Sequence, residues 1–160
     1  MPDSPLDSPP DSRAAERTAH RAALASRRSG GGRPVLVVDR SAIARKFLMQ
    51  RLEELEYRAV GADNAEQALA MLDEQAFAIV FLEFVLGPKH SLDGLGLCRT
   101  IKQKSAHPGG IVPAVVMLTG GASASDRVRG SLAGCDAYLT KPLADAAFVT
   151  ALADVDPLFR

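Results

Sequence analysis

The 160 residues suffice for one domain of ordinary size and are too few for two. Nineteen Lys and Arg balance nineteen Asp and Glu, so bulk charge argues for neither nucleic acid nor an anionic membrane as a partner. No apolar run approaches the roughly 20 residues of a membrane span, and the polar, proline-rich start lacks the apolar stretch of a signal peptide. Hydrophobic content of 47% with 24% charged residues fits a soluble globular chain, expected in the cytoplasm. Aromatics make up 5% and Trp is absent, so the core must be built mainly from Val, Leu, Ile and Ala. Cys98 and Cys135 do not need a disulfide framework and are expected to be reduced thiols.

Residues 1–33 differ in composition from the remainder. Pro2, Pro5, Pro9 and Pro10 stand among Asp and Ser, a mixture that buries too little to order itself. Arg13 to Arg28 is Ala-rich with helical propensity, and Ser29-Gly30-Gly31-Gly32 breaks it. A disordered or partly helical extension is expected, either solvated or folding on a partner.

From Pro34 the chain alternates strand and helix. Val35–Val38 reads as a strand. Ser41 caps a helix whose apolar positions Ile43, Phe47, Leu48, Leu52 and Leu55 keep a 3.6-residue spacing. A strand over Tyr57–Gly61 follows, then a helix capped by Asn64 with Ala65, Ala68, Leu69 and Leu72 on one face. Phe77–Phe84 is almost wholly apolar, as a strand covered on both faces should be. After a loop over Val85–Leu92, Asp93 caps a helix to about Lys104. Pro108-Gly109-Gly110 is a turn, Val112–Leu118 a strand, Ser125–Ala133 a helix, Ala137–Thr140 a strand and Asp145–Asp154 the last helix. Such βα units predict an α/β fold with five parallel strands in a doubly wound sheet.

Several of these strands end in a polar residue. Val35–Val38 precedes Asp39, Ile79–Leu82 precedes Glu83, Val115–Leu118 precedes Thr119, and Tyr138-Leu139-Thr140 precedes Lys141-Pro142. Polar groups at the carboxyl ends of buried strands are how an open α/β sheet builds a site. The set resembles the receiver domain of bacterial two-component response regulators (flavodoxin-like or CheY-like), from about Pro34 to Val155. Residues 34–160 are therefore expected to form an atypical receiver. With the sequence ending at Arg160, a stand-alone module without an output domain is expected.

The resemblance implies a phosphorylation site made of Asp39, Arg40, Glu83, Thr119 and Lys141, but in degenerate form. Position 83 is where the family carries the aspartate that accepts phosphate, and position 40 is normally a second acid that ligates Mg²⁺ directly. The backbone carbonyl of Val85 completes the family's metal set. Glutamate moves the carboxylate outward by roughly 1.5 Å, and displacement of that order costs about 100-fold in a positioned reaction. The Arg40 guanidinium repels a cation and offers Glu83 a bidentate partner. Mg²⁺ binding is thus expected to be lost or weak, with no other cofactor, and no enzymatic activity is expected. Glu83, held by Arg40 and Lys141, would stand in part for a phosphorylated aspartate. Lys89 and His90 are read as solvated loop residues near the site, and His20 and His107 are assigned no chemistry.

Thr119 and Gly120 match the family's hydroxyl and small residue, and Pro142 its often cis proline. Tyr138 matches the aromatic that turns inward on activation. The partner face is accordingly expected around Tyr138, Leu139, Ala124, Arg127 and Val128, formed by the helix at 125–133, the last strand and the last helix. A protein partner, or a second copy, would dock there without phosphorylation. The alternatives are a working phosphotransfer receiver with an unusual site, or nucleic-acid binding through the arginines of residues 1–33; neither nucleic acid nor membrane is the expected partner.

Overall fold

The computed structural model describes residues 29–84, 93–104, 106–120, 131 and 133–159, together with Arg13 and Arg17. The readings for His20, Val85, Lys89, His90, Ala124, Arg127, Val128 and most of the helix at 125–133 lie outside the described residues.

Five strands form one parallel sheet: β1 (Pro34–Val38), β2 (Arg58–Ala62), β3 (Ile79–Glu83), β4 (Ala114–Thr119) and β5 (Ala137–Thr140). The spatial order is β2-β1-β3-β4-β5, so the direction of winding reverses between β1 and β3. Four α-helices stand among the described residues: α1 (Ala42–Glu54), α2 (Ala65–Glu74), α3 (Gly94–Gln103) and α4 (Asp145–Val155). The expected doubly wound α/β sheet is therefore present. Boundaries move by one or two residues: β4 starts after Pro113, whose ring nitrogen cannot donate to a ladder, and the turn at 108 is a 3₁₀ helix over Pro108–Gly110.

The alternation of side chains along each strand divides the core into two layers. Val35, Val37, Ile79, Phe81, Val116 and Leu118 pack with Leu48 and Leu52 of α1 and Phe148 and Leu152 of α4. Leu36, Val38, Val80, Leu82, Val115 and Met117 face the other way, onto Ala68 and Leu72 of α2 and Leu97, Cys98 and Ile101 of α3. A sheet covered on both faces explains why its central strands read as unbroken apolar runs.

Helix α1 departs from the simple amphipathic reading. Leu48 and Leu52 are buried, yet Ile43 is 84% and Phe47 52% exposed. Arg51 takes a core-side position instead, its guanidinium paired with Asp145 and lying 5.3 Å from the Phe148 ring centroid. Burial of its stem under a paired head lets a charged residue occupy an apolar stripe.

Three helices start as their sequence dictates. The side chains of Ser41, Asn64 and Asp93 accept from the N–H groups of Ala44, Gln67 and Gly96. Gly94 has a separate task. A Cβ there would lie 2.2 Å from the Glu83 carbonyl oxygen, so only glycine lets α3 start this close to the end of β3. Cys98 is buried and Cys135 half-buried, both free thiols; burial pushes the Cys98 thiol up to about 11.

Candidate functional site

The reversal of winding leaves a crevice at the carboxyl ends of β1 and β3, where α/β sheets place their ligands. Asp39 follows β1 and Glu83 closes β3. Phe84 N–H donates to the Leu118 carbonyl at 2.8 Å and Lys141 N–H to the Thr119 carbonyl at 2.7 Å, so the ends of β3, β4 and β5 are tied edge to edge. These bonds bring residues 39, 83, 119 and 141 into one cluster.

Asp39 is 2% exposed and both of its carboxylate oxygens are engaged. The Ser41 N–H donates to Oδ1 at 2.8 Å, and the Lys141 ammonium donates to Oδ2 at 2.9 Å. Arg45 Nη1 donates to the Asp39 carbonyl at 2.6 Å, which fixes the turn from β1 into α1. Glu83 Oε1 lies 3.9 Å from the same Lys141 nitrogen. One ammonium therefore serves two carboxylates, and Asp39 holds the nearer place.

Arg40 contributes differently from the bidentate pairing its position suggests. Its backbone N–H donates to Glu83 Oε2 at 3.3 Å, while its guanidinium Nε stands 3.9 Å from Oε1 and the side chain is 57% exposed. The longer reach of glutamate carries the carboxylate towards the turn after β1, where a main-chain donor is nearer than the exposed guanidinium. Removal from water raises the Glu83 pKa, and the adjacent Asp39 carboxyl raises it further through a hydrogen bond and like charge; Lys141 and the Arg40 N–H oppose the shift.

The same geometry decides how well a divalent cation would fit. Mg²⁺ needs an octahedral set of oxygens with free lone pairs. Here the Asp39 oxygens already accept from Lys141 and Ser41, and position 40 brings a cation where an anionic ligand would be wanted. No group of three or more His, Cys, Asp or Glu able to hold a metal occurs among the described residues. The donors do not fit the ion as they are placed.

Thr119 is buried at the end of β4, and a Cβ added at Gly120 would meet no atom within 4 Å, so the space above the strand ends is open there. The Lys141-Pro142 peptide is cis. Tyr138 is half-buried and packs against the core layer beneath α2 and α3, with its hydroxyl oxygen buried. An open groove of about 500 Å³ runs along β5 and α4, lined by Tyr138, Leu139, Ala147 and Thr150 among others. His107 serves structure, its Nε2 lying 2.9 Å from the Ile101 carbonyl.

Sequence reasoning did not find the second crevice beside the cluster. A cleft of about 290 Å³ is lined by Ala44, Phe47, Leu48, Leu118, Pro142 and Leu143, with Asp39 and Lys141 as its polar members. It opens between α1 and the segment joining β5 to α4. The available signal was Ile43 and Phe47, four residues apart on a face that Leu48 and Leu52 do not share.

The family model for the response regulator receiver domain matches residues 35–153. The probable transcriptional regulator ycf27 of Guillardia theta is 36% identical over 108 residues, covering 68% of this chain and 39% of that protein. The transcriptional regulatory protein ResD of Bacillus subtilis (strain 168) is 33% identical over 108 residues, covering 68% of this chain and 41% of its own. The chain thus spans about two fifths of the length of these curated relatives. Among solved structures, the chemotaxis response regulator CheY4 of Vibrio cholerae superposes with a TM-score of 0.67 at 21% identity, over 77% of this chain and 98% of that one. The receiver domain of the Francisella response regulator 1452 gives 0.66 at 21% identity, over 78% and 98%. No helix among the described residues is long and apolar enough to cross a membrane. The chain belongs to the response regulator receiver domain family.

Proposed function

We propose that this receiver works as a protein-interaction module whose output does not depend on phosphorylation at position 83. The observation that carries the reading is the Lys141 ammonium, 2.9 Å from Asp39 and 3.9 Å from Glu83. In a phosphorylatable site that ammonium would be left to meet an incoming phosphoryl group. Here two resident carboxylates share it, and a second cation, Arg40, stands beside Glu83. Glu83 also projects further than aspartate into the crevice, so the domain carries a resident carboxyl group near the place a phosphoryl group would occupy.

The partner is a protein, or a second copy of this chain, docked on the face around Tyr138 and Leu139. Ala124, Arg127 and Val128 would extend that face. The groove along β5 and α4 supports this placement, since it offers an exposed strand edge beside small residues such as Ala146 and Ala147. A second reading, a slow phosphotransfer receiver, is favoured by the retention of Asp39, Thr119 and Lys141 in one cluster.

Titrating ¹⁵N-labelled protein with Mg²⁺ and then beryllofluoride separates the two. Amide shifts around Asp39, Glu83 and Thr119 are expected to stay unchanged at millimolar Mg²⁺. Saturable shifts spreading to Tyr138, with stoichiometric Mg²⁺-dependent labelling by a small phosphodonor, would establish the second reading and overturn the first.

A further inference from the structure

The outer side of α1 carries large apolar side chains where water would favour polar ones. Ile43 and Phe47 are exposed, and with exposed Gln50 and Glu54 they form one stripe, each a turn from the next. Charge is divided along the helix. Exposed Arg40 and Lys46 stand at its amino end, and exposed Glu53, Glu54 and Glu56 at its carboxyl end. The inner side of the helix is already committed, Leu48 and Leu52 to the core and Arg51 to Asp145. Beside Phe47 opens the cleft of about 290 Å³ whose other walls include Leu48, Pro142 and Leu143.

We propose that α1 is a self-pairing surface: two copies of this chain pack their α1 helices antiparallel about a twofold axis at Phe47. The proposal does not rest on the reading given to Glu83. A twofold axis sets a patch against itself, so the patch must be its own complement. This stripe meets that condition. With Phe47 opposite its own copy, Ile43 comes level with Gln50 to within a residue, and Arg40 with Glu54, each about 10 Å along the helix from the axis. The apolar side chains therefore meet near the centre, and each basic end meets an acidic one. A parallel pair would set like charges side by side, so charge fixes the direction. Each copy also presents a knob and a recess together, the exposed Phe47 ring and the apolar cleft beside it.

Size sets the strength. One helix face falls short of the roughly 800 Å² per partner of a standard interface, so the pair forms weakly and reversibly. Position ties it to the site. The Arg40 guanidinium lies 3.9 Å from Glu83 and is mostly exposed, so one group serves both Glu83 and Glu54 of the second copy. Glu54 keeps Arg51 of its own chain at 3.8 Å and has nearly half of its side chain open to a second cation. Pairing at Phe47 also covers the rim of the cleft that leads to Asp39 and Lys141. It uses none of the residues that line the groove along β5 and α4, so the two surfaces are separate.

Sedimentation equilibrium of the full chain tests the pairing. A reversible monomer–dimer equilibrium with a Kd of about 10–100 µM is expected. Phe47→Asp with Ile43→Asp should weaken it at least about tenfold. Both side chains are exposed, so these substitutions spare the core, and an unchanged urea midpoint verifies that they do. Arg40→Glu and Glu54→Arg should each weaken pairing about fivefold, since each contact occurs twice in the dimer. Combined in one chain they should restore it, because the reversed charges face each other only across an antiparallel pair. A chain that stays monomeric to about ten times that Kd would overturn the proposal. Failure of the combined variant to recover would overturn it too. So would dimerisation indifferent to Phe47→Asp, by moving the contact to another face such as the one around Tyr138.

Discussion

The two ends of the sheet each bury a carboxylate, and they treat it in opposite ways. At the amino end, Asp156 is 5% exposed and accepts from the Arg33 guanidinium, from the Tyr57 hydroxyl at 2.6 Å and from the Leu158 N–H at 3.0 Å. Phe159 stacks on Tyr57 with ring centroids 5.7 Å apart, and burial pushes the Tyr57 hydroxyl well above its usual range. One acid is met by one cation and two further donors. At the carboxyl end, Asp39 and Glu83 crowd around one ammonium, and the excess charge is met by a main-chain N–H and an exposed guanidinium. In the first arrangement the acid is fully met, with only the buried Arg33 Nε left without a hydrogen-bond partner, and it fastens Arg33 to the segment after α4. The second is incomplete, as sites that act on other molecules tend to be.

The largest effect should come from breaking the complete end. Asp156→Ala leaves Arg33 and Tyr57 with desolvated donors and no acceptor, and should cost about 3 kcal/mol in urea unfolding of the full chain. A loss below about 1 kcal/mol would mean that the cluster is loosely held and that the contrast between the ends is false.

Gly94→Ala should come next. Alanine is the better helix former by about 1 kcal/mol, yet its Cβ would press on the Glu83 carbonyl and on Phe84. Backbone on both sides of the contact must yield, so a net loss of about 2 kcal/mol is expected, with amide shifts centred on Glu83. A stabilised variant would show that the end of β3 is free to move, and with it the charge that Glu83 presents.

The smallest effect has a sign set by pH. A carboxyl whose folded pKa is raised lends stability that is fully present below its unfolded value and lost as pH rises through the folded one. Glu83 is such a group, raised by burial and by Asp39. The wild type should therefore lose stability relative to Glu83→Gln as the pH rises from the usual carboxylate range upward. Melting temperatures of both proteins across pH 4 to 8 measure the difference. A wild type that gains on the variant with rising pH would show that Lys141 outweighs Asp39 at Glu83.

Much of this was legible in the chain because doubly covered strands write themselves as apolar blocks. Val35–Val38, Ile79–Leu82 and Val115–Leu118 announce themselves in that way, and each points to the polar residue that follows. Side-chain capping marks the helix starts at Ser41, Asn64 and Asp93, since the signal lies within three residues of its partner. The less visible features all involve distance along the chain. Arg33 and Asp156 are 123 residues apart, and nothing in either neighbourhood shows that they meet. Arg51 entered the core face of α1 because Asp145 was there to receive it.

By itself the sequence determined the alternation of strand and helix, the two-sided burial of the sheet, and the identities of Asp39, Glu83, Thr119 and Lys141 at its carboxyl edge. Those follow from periodicity and from residue chemistry, which are local. Only the tertiary structure decided how the charges at that edge are shared. Lys141 sits nearest Asp39, and Arg40 reaches Glu83 mainly through its backbone. Such a division turns on differences of about an ångström between groups far apart in sequence, and only the closed sheet sets distances that small.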